Sequence, residues 1–139
     1  MKKATVTALV IVAVLVAWVI VRTLTAPSAE SLTRQVEDGV KVAAEELHAR
    51  MPRKIDKMTT LVDVTSSGVV MTYHYKIDSN DYEVPPNFMK LVETIITKDV
   101  CKSSDTKSAM KEGAVYAYSY INSDSKPLGT FIIKDGDCG

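Results

Sequence analysis

An α+β domain behind an N-terminal membrane anchor is the fold class this sequence predicts, and three observations predict it. Residues 4–21 form one uncharged apolar run. The rest of the chain switches between a helical apolar repeat and strict alternation. The resulting order is helix, two strands, helix, short helix, two strands, which is most simply met by an antiparallel sheet of about four strands, two hairpins, with helices packed on one face. The length of 139 residues allows one domain of ordinary size. At 46% hydrophobic and 24% charged residues the composition is globular, which excludes a disordered chain. Seventeen basic and seventeen acidic side chains cancel, so no overall electrostatic footprint for nucleic acid exists.

The apolar run reads ATVTALVIVAVLVAWVIV, 18 residues without charge, Gly or Pro. As a helix it reaches about 27 Å, close to the hydrocarbon thickness of a bilayer. Lys2 and Lys3 precede it, Arg22 follows it, and Trp18 lies near its distal end, where an indole suits the membrane interface. The expected organisation is an anchor over residues 1–22, a junction over 23–30 and an exported domain over 31–139. The positive-inside rule puts the N-terminus in the cytoplasm and the domain in the periplasm, with the inner membrane crossed once by residues 4–21. A cleaved signal leaving a soluble periplasmic domain is the alternative. Against it, a signal core runs about 7–15 residues, and the nearest small-residue site would put Pro27 directly behind the scissile bond. Ala4 and Ala8, and Ala13 and Ala17, are spaced for close helix approach, so a homodimer through the anchor is a further expectation.

Within the domain, Ser28 or Ser31 can cap a helix whose stripe is Leu32, Val36, Val40, Ala43, Leu47 and Met51, with Pro52 as its stop. From Met58 the period falls to two. Met58–Thr65 and Val69–Ile77 form a hairpin around Ser66-Ser67-Gly68. Asn87 can cap a helix carrying Phe88, Leu91, Val92, Ile95 and Ile96. Ser103–Glu112 forms a short helix closed by Gly113. Ala114–Ile121 and Gly129–Lys134 form the second hairpin, across a polar loop.

Candidate sites are few. His48 sits in a charged helical segment, and His74 alternates away from Tyr73 and Tyr75, so each reads as a surface histidine. No nucleophile elbow and no metal-ligand spacing occurs; the expectation is no cofactor, no metal and no enzyme. Arg50, Arg53, Lys54 and Lys57 form a basic patch around Pro52, read chiefly as a solvated helix end. Tyr116, Tyr118 and Tyr120 share one strand face. They either cover the core or, with His74, present a contact surface. Cys101 and Cys138 are expected to join in an oxidising periplasm, because Cys138 lies in DGDCG, a poor place to bury a free thiol.

The residues Cys101, Gly113, Tyr116-Ala117-Tyr118-Ser119-Tyr120, Gly129, Phe131-Ile132-Ile133 and Cys138 carry a resemblance to small bacterial envelope proteins with a two-cysteine α+β domain. Met51-Pro52, Thr59, Leu61 and Tyr73-His74-Tyr75 fit the same pattern. The resemblance implies an anchored or secreted α+β domain with one disulfide, and it assigns no activity. The expected role is a protein-binding module of the envelope, an accessory subunit or an inhibitor or immunity-type protein, with an envelope or exported protein as partner. The alternatives are a small periplasmic enzyme or ligand-binding domain, and a structural protein that self-associates through its anchor.

Overall fold

The computed structural model describes residues 28–139. The expected anchor lies outside the described residues, and no helix among the described ones is long and apolar enough to cross a membrane. The elements are α1 (Ala29–His48), β1 (Arg53–Lys54), β2 (Thr59–Ser67), β3 (Val70–Ile77), α2 (Phe88–Val100), α3 (Ser104–Lys111), β4 (Val115–Ile121) and β5 (Pro127–Ile133).

Local chemistry sets the ends of these elements. Ser28 caps α1: its Oγ accepts the Ser31 N–H at 3.2 Å. The helix stops at His48, a turn earlier than the apolar stripe suggests. Arg50 and Met51 donate to Leu47 and His48 carbonyls at 2.9 and 3.0 Å, and such short-range bonds tighten a last turn. The Met51–Pro52 peptide that follows is cis. Asn87 holds the cap position of α2, but its side chain makes no capping bond. Ser103 does cap α3, accepting from the Thr106 N–H.

The sheet has five strands in the order β1-β2-β3-β4-β5 and is mixed, which corrects the expectation of about four antiparallel strands. Each expected hairpin is present: β2 pairs antiparallel with β3, and β4 with β5. The two hairpins meet through β3 and β4, which run parallel. The cause is the intervening chain. Residues 78–114 carry two helices back across the sheet, and a crossover of that kind returns the chain in its original direction. The fifth strand is β1, paired through Arg53 with Leu61 and through Lys54 with Thr60.

The helices pack on one face, as the alternation predicts. Two clusters make the core. Val40 and Ala44 of α1 meet Leu61, Val64, Met71 and Ala114. Ile77, Met110, Tyr118, Tyr120 and Ile133 form the second cluster, with Phe88, Met89, Val92 and Ile96 of α2 packed against it. At Gly129, whose φ is +157°, an added Cβ would meet Met89 Cγ and Cε at 3.0 Å. A hydrogen on the α-carbon is what lets α2 approach β5 here.

Candidate functional site

The tyrosines are placed by the parallel register. Tyr73 lies beside Tyr118, and Tyr75 beside Tyr120. Their rings stack at 5.2 and 4.9 Å between centroids, with planes within 10° and 12° of parallel. Phe131 of β5 continues the row at 5.1 Å from Tyr118, and Phe88 of α2 meets Tyr120 edge-on at 5.7 Å. Tyr118 and Tyr120 are buried, at 6% and 3% exposure. Burial and the neighbouring phenols push the Tyr73 hydroxyl up to about 12, and raise Tyr118 and Tyr120 as well. All of these phenols are therefore neutral at physiological pH. Among the described residues no buried side-chain N or O lacks a partner. The rings thus belong to the core, and of the three tyrosines on β4 only Tyr116 borders an open surface.

That surface is a groove beside α1. One section holds about 230 Å³ and is lined by Val36, Gly39 and Ala43 of α1, Ala109 of α3, Ala114 and Tyr116. A second section of about 380 Å³ is lined by Leu32, Gln35, Val36, Lys111 and Glu112. Gln35, Val36 and Glu112 line both, so the two sections are continuous. The groove follows from side-chain size. Gly39 and Ala43 leave the facing side of α1 low, and Ala109 and Ala114 do the same opposite. Leu32 is 46% exposed at one end. Its walls are apolar, with Gln35, Lys111 and Glu112 as polar edges, an arrangement suited to an apolar side-chain ridge from a partner.

His74 is separate from this groove. Its Nε2 meets Thr65 Oγ1 at 2.8 Å. It alternates with Tyr73 and Tyr75, which point to the helix-covered face, so it lies on the other face of the sheet. His48 Nδ1 contacts Asp63 Oδ1 at 2.6 Å and joins the end of α1 to β2 next to its register irregularity. This hydrogen bond, with the Val64 N–H and the two nearby histidines, holds the Asp63 carboxyl below the usual carboxylate value. His48 and His74 are thus both engaged near Asp63, His48 with its carboxylate and His74 with the Thr65 hydroxyl. Arg50, Arg53, Lys54 and Lys57 are all exposed, but they extend beyond the helix end: Arg53 and Lys54 form the edge strand β1. Among the described residues no group of three or more His, Cys, Asp or Glu is arranged to hold a metal ion.

Cys101 and Cys138 form the disulfide, with their Cα atoms 5.3 Å apart. It joins the residue after α2 to the segment after β5 and so clamps the aromatic end of the core.

The sequence signals for the groove were Gly39 and the alanines. Small residues give no periodicity of their own, so these positions do not stand out in the sequence.

No family model matches the chain, and no curated protein matches it in sequence. Solved structures do share its fold. The pilotin EpsS of the Vibrio vulnificus type 2 secretion system superposes with a TM-score of 0.72 at 14% identity, over 79% of this chain and 97% of that one. The type II secretion system pilotin AspS of Vibrio cholerae gives 0.66 at 15% identity, over 78% and 97%. A protein of Pseudomonas aeruginosa described as secreted gives 0.69 at 18% identity, over 78% and 96%. At these identities the likeness is one of fold.

Proposed function

We propose that this chain is an accessory protein of the bacterial envelope that works by binding another envelope or exported protein, not by catalysis. In this reading residues 1–22 tether it in the inner membrane with the N-terminus in the cytoplasm. The periplasmic domain of residues 31–139 carries the binding surface. The observation that carries the reading is the fold shared with two secretion-system pilotins, which accounts for 97% of each of those chains. By that likeness the partner class is a component of a secretion apparatus. The groove supplies a place for it. Its apolar walls fit the helix-in-groove mode, in which a partner helix lays its apolar side chains into a trough.

Site-specific photo-cross-linking in cells tests this. A photoreactive side chain is placed at Gln35 or Glu112, both lining the groove, and at Thr72 on β3 as a control. The expected result is one discrete protein adduct in the membrane fraction from Gln35 and Glu112, absent from Thr72. No protein adduct from either groove position would sink the reading.

A further inference from the structure

The outer surface of α3 is chemically unlike the groove. Ser104, Lys107, Ser108 and Lys111 recur at helical spacing and share one face. With Lys102, from the turn before the helix, they line a shallow depression of about 320 Å³. All five side chains are exposed, and no carboxylate lines the depression. Nearby, Asp99 pairs with Lys102 at 3.4 Å and Asp105 accepts from Ser104 at 3.5 Å, both exposed contacts. Lys107 and Lys111 have no ion-pair partner among the described residues. Lys102 also belongs to a row on α2 and its following turn: Leu91, Ile95, Lys98 and Lys102 follow one another at steps of four, three and four. Leu91 is 48% and Ile95 58% exposed.

We propose that this surface docks on an anionic phospholipid bilayer. Lys102, Lys107 and Lys111 take headgroup phosphates, with the Ser104 and Ser108 hydroxyls as further donors. Leu91 and Ile95 enter the acyl boundary. Cations beside exposed large apolar side chains are the pattern of helices that lie in a membrane interface. A phosphorylated solute would match the lysines but would leave Leu91 and Ile95 in water. Charge adds direction. Residues 28–139 hold 14 basic and 17 acidic side chains, a net of −3, so an anionic surface disfavours most approaches of the domain and selects its locally basic side. Reach is assured by the tether proposed above, on which this inference rests: the six residues 23–28 span at most about 20 Å fully extended.

The full chain is reconstituted with vesicles of phosphatidylcholine alone or with added phosphatidylglycerol, and floated on a density gradient. The floated protein is then treated with a lysine-acylating reagent and the modified lysines are read by mass spectrometry. The expected result is flotation with both lipids and several-fold less acylation of Lys102, Lys107 and Lys111 in the anionic vesicles, with Lys76 and Lys126 unchanged. High salt should remove the difference, because exposed charges are screened. The variant K102Q/K107Q/K111Q should leave Lys98 equally labelled in both lipids. Flotation with equal labelling of the three lysines overturns the docking surface while leaving the tether standing. Equal protection in detergent with inorganic phosphate alone assigns the lysines to a free anion and overturns it too. Flotation only with anionic vesicles removes the tether but supports the docking, and flotation with neither overturns both.

Discussion

Beneath α1 the buried residues are aliphatic: Val40 and Ala44 of α1 rest on Leu61, Val64 and Met71, with Tyr73 and Tyr75 of β3 at the border of the aromatic row. Over β4 and β5 the buried layer is aromatic, with Tyr118, Tyr120, Phe131 and Phe88 in mutual contact and a disulfide at one end. Ring stacking fills the second region and leaves α2 pressed on the sheet, whereas small residues leave a groove beside α1. One region is therefore closely filled and the other leaves a groove.

The largest expected effect breaks the aromatic side. Tyr118→Ala removes the ring that touches Tyr73, Tyr75 and Phe131, and should cost about 3–5 kcal/mol in urea unfolding. Val40→Ala on the aliphatic side should cost about 2 kcal/mol, two methyl groups' worth. Equal losses would remove the distinction between the regions. Reduction of Cys101–Cys138 comes next. The bridge spans 37 positions in sequence, and chain-entropy arguments put its contribution at about 4 kcal/mol or less. Unfolding with and without reductant measures it. Gly129→Ala sharpens the picture of α2 against β5. The new methyl group meets Met89 at 3.0 Å, so a loss of about 1–2 kcal/mol is expected, and Met89→Ala in the same chain should recover part of it.

The smallest effect belongs to the surface pair. The Asp63 carboxyl titrates below its ordinary 3.8 when folded, so its contribution is complete above that value. It is lost as pH falls through the lowered folded value. Side chains 66% and 37% exposed keep it within about 1 kcal/mol. Asp63→Asn should lower the neutral plateau by up to that amount and converge with the unaltered chain in acid, below the lowered folded value, as thermal melts across pH will show.

Much of this was legible in residue order. Alternation located β2 to β5, the four-residue stripe located α1, and DGDCG marked Cys138 as a bridge and not a buried thiol. The side of the sheet taken by the tyrosines is open between two readings in the sequence, since Val115, Ala117 and Ile121 make the opposite face mildly apolar too. The parallel register resolved it by setting Tyr118 and Tyr120 beside Tyr73 and Tyr75. That register was itself illegible, because pairing between β3 and β4 is decided by a crossover with no local signal. Strand β1 was missed because two residues, both cationic, carry no period. Its shortness and charge suit an edge that must not recruit further strands.

The parallel pair also has a consequence in time. During synthesis β2 and β3 can form their hairpin early, but the open edge of β3 waits for Val115–Ile121. At about 5–20 residues per second the intervening chain takes a few seconds to appear. Through that interval Tyr73 and Tyr75 lack the rings of Tyr118 and Tyr120 and have a strand, β2, on one side alone. The nascent chain therefore carries an unpaired strand edge with two tyrosines at its midpoint until the second half arrives.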